Sequence, residues 1–322
     1  MRAIRIHEHG GSEVLVWEEV PDPSPAAGEV VVAVEYAGVN FVDTYFRSGL
    51  YPIDLPTTLG SEGSGTVLEV AADVVDLTIG ERVAWTGIPG SYAERVLAPA
   101  ERLVPIPEIM STDVAGAAML QGLTAHYLVN DCFGLQAGHN VLIHAAAGGV
   151  GQLLVQMAVA RGATVFATVG TDQKAEIASQ RGAQHVINYR ETNFKDEIEA
   201  EIGAHGIDVA YDGVGKEVFD DSLELLTRRG TMVQFGNASG PVEPLSPLRL
   251  SRGGSLYLTR PSLVDYISTR AELTARAHAV FTDIVAGSLE IAIGARFPLA
   301  EAADAHDALE GRRTTGKVLL EA

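Results

Sequence analysis

The stretch that most constrains this chain is residues 140–163, N-V-L-I-H-A-A-A-G-G-V-G-Q-L-L-V-Q-M-A-V-A-R-G-A. Val141, Leu142 and Ile143 form a short apolar run suited to a buried strand. Small residues fill 145–151. Val150, Leu153, Leu154, Met157 and Ala158 then recur at i, i+3, i+4, i+7 and i+8, one face of a helix, and Gly162 supplies its stop. Strand, glycine turn and helix in that order make a dinucleotide pyrophosphate site. Gly148 lets the backbone approach the phosphates, and Gly151 lets the helix pack close to the strand. The helix N-terminus offers free N–H groups and the positive end of its dipole to the anion. Ala146 stands where the first glycine of G-x-G-x-x-G is expected. Such a fingerprint also fits an ordinary strand-to-helix turn, so the surrounding chain has to decide.

From residue 141 onward, strands alternate with helices. Strands are predicted over 141–144, 164–169, 185–189, 209–212, 232–235 and 255–258, with helices over 150–161, 173–180, 194–202 and 217–228. Six strands with crossover helices predict an α/β fold with a doubly wound parallel sheet, a Rossmann unit. Only a Pro- and Gly-rich loop, 240–254, without a well-formed helix, precedes the last strand, which places it at an edge. An exposed apolar edge strand invites pairing with another chain, so a homodimer joined through residues 254–259 is expected.

Residues before about 120 are rich in β signals instead. Runs at 3–6, 15–20, 30–36, 66–70, 82–85 and 92–98 are separated by Gly, Pro and Asp, with a short helix over 42–48. This predicts a compact, mostly antiparallel β domain. A helix over 113–130 bridges to the glycine stretch. After 265 come a helix to about 285, residues 290–295, a segment 299–309 and a closing strand 317–320. They carry no nucleotide signal and are expected to return to the first domain. The expected division is 1–123 with 266–322, and 124–265.

A chain of 322 residues that is 47% hydrophobic has ample core for two domains. The single cysteine, Cys132, excludes an intramolecular disulfide and a cysteine-cluster metal site, and reads as a packing residue. His9, His126, His144 and His185 lack ligand spacing and read as structural. A net charge of -19 with no basic run argues against nucleic acid and anionic membranes as partners. No apolar run is long enough for a membrane span, and the start lacks signal-peptide features, so a cytoplasmic location is expected.

Several motifs now align with one family. A-G-V-N-F-V-D-T-Y-F-R-S-G-L-Y-P at 37–52 resembles the signature of the zinc-free NADPH:quinone oxidoreductases related to zeta-crystallin, within the medium-chain dehydrogenase/reductase superfamily. So do G-S-E-G at 60–63, H-A-A-A-G-G-V-G at 144–151, T-V-G-T at 168–171 and V-I-N-Y-R at 186–190. V-Q-F-G-N-A-S-G at 233–240 and L-Y-L-T-R-P-S-L at 256–263 complete the set. The resemblance spans essentially the whole chain. It implies a GroES-like substrate domain, completed by the C-terminal tail, around an inserted Rossmann domain, with a quinone in the cleft. Zinc alcohol dehydrogenases of the same superfamily place a cysteine where this chain has Asn40 and a histidine where it has Ser61. Neither replacement is a credible zinc ligand, so no metal is expected. Without a Lewis acid, the resemblance implies an easily reduced acceptor, a quinone or an activated enone.

The second strand of the Rossmann unit ends at Gly170 and Thr171 with no acid at its tip, where an NAD enzyme usually carries one. Asp172 starts the next helix as an N-terminal carboxylate. In the family, the lysine at Lys174 and the tyrosine at Tyr189 meet the 2′-phosphate, which implies NADPH. The resemblance further implies that Ala147, Gly148, Gly149 and Val150 line the pyrophosphate and that Gly213 lies near the adenosine. Phe235, Gly236, Asn237 and Leu258 are expected near the nicotinamide half, and Thr124 and Gly316 carry over as further cofactor positions. Asn40, Asp43, Tyr45 and Tyr51 are expected to form the active-site face. Asn40 would bond the cofactor ribose or the acceptor oxygen, and Tyr45 would stack on a quinone or donate to a developing oxyanion. Asp43 would orient the short helix. Against this stands the reading that Asn40 and Asp43 only cap that helix. Gln121 departs from the lysine common in bacterial relatives. Two rival functions remain: an NADPH-dependent reductase of α,β-unsaturated carbonyls, and a non-catalytic NADPH-binding or RNA-associated protein.

Overall fold

A computed structural model describes all residues, 1–322. In chain order, β1 (Arg2–Ile6) pairs antiparallel with β2 (Val16–Glu19). The long strand β3 (Glu29–Val39) runs into α1 (Phe41–Ser48). β4 (Thr57–Thr58) returns to β1, and β5 (Glu62–Val70), β6 (Arg82–Thr86), β7 (Arg95–Pro99) and β8 (Val104–Pro105) complete the antiparallel set. α2 (Thr112–Tyr127) leads onward.

The alternating part follows. Its elements are β9 (Asn140–Ile143), α3 (Gly149–Ala160), β10 (Thr164–Val169), α4 (Asp172–Gln180), β11 (His185–Asn188) and α5 (Phe194–Ile202). Then come β12 (Ile207–Asp212), α6 (Phe219–Leu225), β13 (Leu226–Gln234), α7 (Pro247–Arg252), β14 (Tyr257–Thr259) and α8 (Leu263–Tyr266). The tail holds α9 (Arg270–Val285), β15 (Ile293–Pro298), α10 (Ala302–Glu310) and β16 (Lys317–Glu321).

These elements form two compact units, Met1–Leu123 with Ile267–Ala322, and Thr124–Tyr266. In the first, a seven-stranded sheet runs β15-β16-β3-β5-β6-β8, with β7 also on β3. Ile4, Val32, Val67, Val83, Trp85, Tyr92 and Val318 are among the side chains of its core. In the second, six strands lie in the order β11-β10-β9-β12-β13-β14, and every pair is parallel. Phe166, Ile198, Ala210, Leu223 and Met232 pack one face of that sheet. The order reverses between β9 and β12, which opens a crevice outside their carboxyl ends.

Three element expectations are corrected. The helix expected over 217–228 stops at Leu225, because Leu226 already pairs with Ile207 in the sheet. The loop 240–254 contains the six-residue α7, opened by Pro247 in the first turn, where a missing N–H costs nothing. The bridging helix changes at Leu128 to a wider π turn ending at Cys132. No helix is long and apolar enough to cross a membrane.

The turn from β9 into α3 is tight. A Cβ on Gly151 would lie 2.3 Å from the Ala145 carbonyl oxygen and 2.8 Å from Ala146 Cα. Both are backbone atoms and cannot yield cheaply. Gly151→Ala is therefore expected to lower the stability of this unit by about 1–3 kcal/mol in urea melts, the usual penalty of overpacking. A melt unchanged from the parent would show that the turn can widen.

Candidate active site and cofactor surface

At the crevice of the parallel sheet, the backbone between β9 and α3 is built to meet an anion. Gly148 N–H is bonded to Ala145 O at 2.8 Å, and Ala145 sits in the left-handed region at φ 50°. Ala146, the departure from the glycine pattern, is fully buried and donates its N–H to Thr168 O at 3.1 Å. Its methyl group fits, so the replacement leaves the turn intact. A Cβ on Gly148 would meet only the Ala145 oxygen, at 3.1 Å, leaving its outer side free for a phosphate. The twelve-residue α3 starts immediately after, so its free N–H groups and dipole favour negative charge there.

The tip of β10 explains which ribose fits. The Asp172 carboxylate accepts from Asn188 Nδ2 at 3.0 Å, which ties it to β11. Thr171 caps α4 by accepting from Lys174 N–H at 3.3 Å, which puts Lys174 in the first helical turn. A Cβ on Gly170 would come 2.6 Å from the Tyr189 hydroxyl, so the phenol lies over this glycine. A lysine in the first turn of α4 and a phenol over the strand tip are chemistry that suits a phosphate.

One further acid lies at the end of β12. Asp212 is fully buried; its Oδ1 accepts from Val214 and Gly215 N–H at 2.7 and 2.8 Å. Its Oδ2 has no hydrogen-bond partner, and burial pushes the carboxyl up to about 6. Phe235 and Gly236 donate their N–H groups to the Asp212 carbonyl, which fixes the end of β13 beside it. Asn237 Oδ1 accepts from Gln234 Nε2 at 3.0 Å. His144 spans Thr168 Oγ1 and Ser222 Oγ at 2.8 and 2.7 Å, and burial drives it down to about 3, so it is neutral and structural.

In the other unit the short helix α1 begins in a buried polar network. Asn40 donates its backbone N–H to Asp43 Oδ2 at 2.8 Å, one arm of a capping box. The Asn40 amide points elsewhere. Nδ2 donates to Glu62 Oε2 at 2.8 Å and to Gly38 O at 3.3 Å, while Oδ1 accepts from Lys317 Nζ at 2.8 Å. Lys317 also pairs with Glu62 Oε2, and Glu62 Oε1 accepts from Leu120 N–H at 2.6 Å. The two side chains are 1% and 0% exposed. Removing one partner of such a pair costs about 3–5 kcal/mol, because the other charge is left unmatched. The Gln121 amide lies 3.5 Å from Asn40 Oδ1, so the residue that departs from the family's lysine abuts this network.

A second chain of hydrogen bonds ends on Asp43. Arg47 NH1 only donates, so its 3.1 Å contact makes His306 Nδ1 an acceptor and places the ring proton on Nε2. That proton goes to the Tyr92 hydroxyl at 3.1 Å, and Tyr92 donates to Asp43 Oδ2 at 3.1 Å. Arg47 also holds Glu310 with bonds of 2.8 and 3.0 Å. Burial and the neighbouring Arg47 push His306 down to about 3. Burial pushes Asp43 up to about 7, against the pull of the Asn40 N–H, the Lys317 charge and the Tyr92 hydroxyl. On the far side of α1, Tyr45 and Tyr51 meet edge to face at 5.2 Å, and Phe46 meets Tyr51 at 5.9 Å.

The expected cofactor positions Ala147–Gly151, Gly170, Thr171, Lys174, Tyr189, Gly213, Phe235, Gly236 and Asn237 all fall at or just beyond carboxyl ends of the parallel strands. Leu258 is the central residue of β14 and not at its end. Thr124 is buried in α2. Gly316 belongs to the other unit, at φ 63° just before β16. Asn40, Asp43, Tyr45 and Tyr51 do gather around α1. The Asn40 amide is bonded to Glu62, Gly38 and Lys317, and the Asn40 backbone N–H to Asp43, so both residues help to build the start of α1. Glu62, Lys317, Tyr92, His306 and Asp212 were not singled out from the sequence. A lysine opening an otherwise apolar closing strand was the available signal for one of them.

Known proteins share this arrangement. Residues 26–108 match the alcohol dehydrogenase GroES-like domain, and residues 149–280 match the zinc-binding dehydrogenase domain. The two together define a medium-chain dehydrogenase/reductase. A quinone oxidoreductase of Pseudomonas aeruginosa is 42% identical over 321 residues, 99% of each chain. A 2-haloacrylate reductase of Burkholderia is 41% identical, over 98% of this chain and 97% of that one. The crystal structure of Escherichia coli quinone oxidoreductase complexed with NADPH superposes with a TM-score of 0.97 at 40% identity, covering all of both chains. The chain belongs to the quinone oxidoreductase family of this superfamily. No three His, Cys, Asp or Glu side chains converge as metal ligands would.

The buried Asp43 has a consequence for stability. Its folded-state value of about 7 lies above the ordinary 3.8, so between pH 4 and 7 the folded chain holds more protons than the unfolded one. The contribution of this group to stability therefore falls as pH rises through that window. Asp43→Asn removes the titration. Its melting temperature relative to the parent is expected to improve steadily from pH 4 to pH 7; a constant difference would refute the ionisation assigned to Asp43.

Proposed function

We propose that this chain is an NADPH-dependent reductase of quinones and that it works without a metal. The observation that carries this reading is the tip of β10, where Asp172 is tied to Asn188, the Tyr189 hydroxyl lies over Gly170 and Lys174 opens the following helix. NADPH, when bound, supplies the hydride. The protein's share is to hold and orient. The Gly148 turn and the α3 N-terminus would take the pyrophosphate, and Lys174 and Tyr189 the 2′-phosphate. Tyr51, half-buried and braced by Tyr45 and Phe46, offers an aromatic surface for a planar acceptor. Asn40 and Asp43 keep that surface in place. A quinone needs no metal to accept hydride, since its reduced anion is stabilised by its own ring. The Burkholderia relative acts on a conjugated C=C acid, which favours a second reading with an activated enone as acceptor.

Two measurements test the reading. NADPH oxidation by the purified chain is expected to be faster with a para-quinone than with an alkenal; the reverse order would favour the enone reading, and no turnover despite tight NADPH binding would favour a non-catalytic role. Lys174→Ala is expected to raise the KM for NADPH about tenfold while changing that for NADH little, as loss of one charged phosphate contact predicts. An equal effect on both cofactors would remove the basis for NADPH.

We also propose a cytoplasmic homodimer joined through β14. Its outer edge is unpaired within the chain, and Tyr257 is 61% exposed on it. Solution scattering at micromolar concentration is expected to give twice the mass of the 34.0 kDa chain. A monomer would exclude this contact.

A further inference from the structure

The acceptor surface around Tyr45 and Tyr51 rests on the start of α1, and three strand ends meet there. Register brings them together. Val318 lies opposite Val39, which puts Lys317 beside Asn40; Ala37 lies opposite Gly63, which puts Glu62 beside Gly38. A Cβ on Gly38 would come 2.2 Å from Glu62 Oε2 and 2.7 Å from Lys317 Nζ, so the ion pair sits directly on the β3 backbone. Only a glycine admits it.

The pair fixes the sense of the Asn40 amide. Its oxygen faces the Lys317 ammonium and its NH2 faces the Glu62 carboxylate, each at 2.8 Å. A flipped amide would set NH2 against the ammonium and oxygen against the carboxylate, and both contacts would repel. A buried ion pair adds little net stability over an apolar replacement, so stability alone is a poor reason for it. Orientation is a better one. The same residue opens α1, since the Asn40 backbone N–H donates to Asp43 Oδ2 at 2.8 Å, and Tyr51 N–H closes the far end on the Tyr45 carbonyl at 3.1 Å.

We infer that Lys317 is a positioning residue: paired with Glu62, it locks the Asn40 amide and thereby the first turn of α1, which carries Tyr45 and braces Tyr51. The inference rests on the proposed reduction of a quinone at this aromatic surface.

The test uses the full chain and three variants, Lys317→Met, Glu62→Gln and the double variant. Lys317→Met alone leaves Glu62 buried without its partner, and its melting temperature should fall. The double variant buries no lone charge, so its melting temperature should return to near the parental value. Its KM for 1,4-benzoquinone should nevertheless rise about tenfold, with the KM for NADPH within about twofold of the parent. Without any substrate, amides of residues 41–48 in the double variant should exchange with solvent about tenfold faster. A double variant with parental quinone KM and parental exchange would overturn the inference and leave the pair as a stability element. If the parent itself oxidises no NADPH with any quinone, the reductase reading fails. Exchange over 41–48 then decides the positioning role by itself.

Discussion

One asparagine side chain is held between a cation and an anion that come from distant parts of the sequence. Lys317 and Asn40 are 277 residues apart, and Lys317 and Glu62 are 255 apart. Neither charge has water to fall back on, since both side chains are almost completely buried. The group therefore demands that β16, β3 and β5 be in register. A slip of one residue would turn Lys317 to the opposite face and leave Glu62 without its cation. The apolar residues that follow Lys317, Val318, Leu319 and Leu320, are buried on both faces of the strand, so they secure its burial without choosing its register. Hydrophobic burial supplies the strand and the buried pair selects its alignment.

The two units solve different physical problems. The parallel sheet presents backbone N–H groups at the start of α3, in a turn made of main chain and small residues. The antiparallel unit instead fixes a short helix by consuming side-chain polarity internally. Every proton in the chain from Arg47 through His306 and Tyr92 is directed toward Asp43, so that carboxylate is the common acceptor for both ends of the network. Asp212 differs from it. Two backbone N–H groups hold one of its oxygens and nothing holds the other, which leaves a carboxyl with unspent acceptor capacity where the parallel strands end.

The legible part of this molecule was its local part. The apolar run 141–143, the small residues after it and the helical face beyond needed only neighbours along the chain, and strand, turn and helix lie where that pattern put them. The last strand at the sheet edge was legible for the same reason. Thr227 and Arg228 misled because they are polar and tolerate a helix; Leu226 already pairs with Ile207, and residues 227–230 bulge out before pairing with β12 resumes at Thr231 opposite Val209. At the site, the residues around α1 were visible as a cluster, and the capping contact of Asp43 with Asn40 was among the readings; the partners of the Asn40 amide were not. A lysine and a glutamate 255 residues apart have no visible link along the chain until strand register brings them together. Nothing in the sequence shows that the amide of Asn40 is already spent.

The unit that contains α1 is discontinuous, broken after Leu123 and resumed at Ile267. During synthesis, Asn40 and Glu62 emerge long before the strand that completes them. The parallel-sheet unit, Thr124–Tyr266, is continuous and can assemble while its host is still open. Final closure waits for β16 to insert between β15 and β3, and only then does the buried carboxylate receive its ammonium. The chain thus carries an internal proof of completion. A chain without β16 would leave the edge of β3 open and Glu62 without its cation, so the last strand both closes the sheet and neutralises its core.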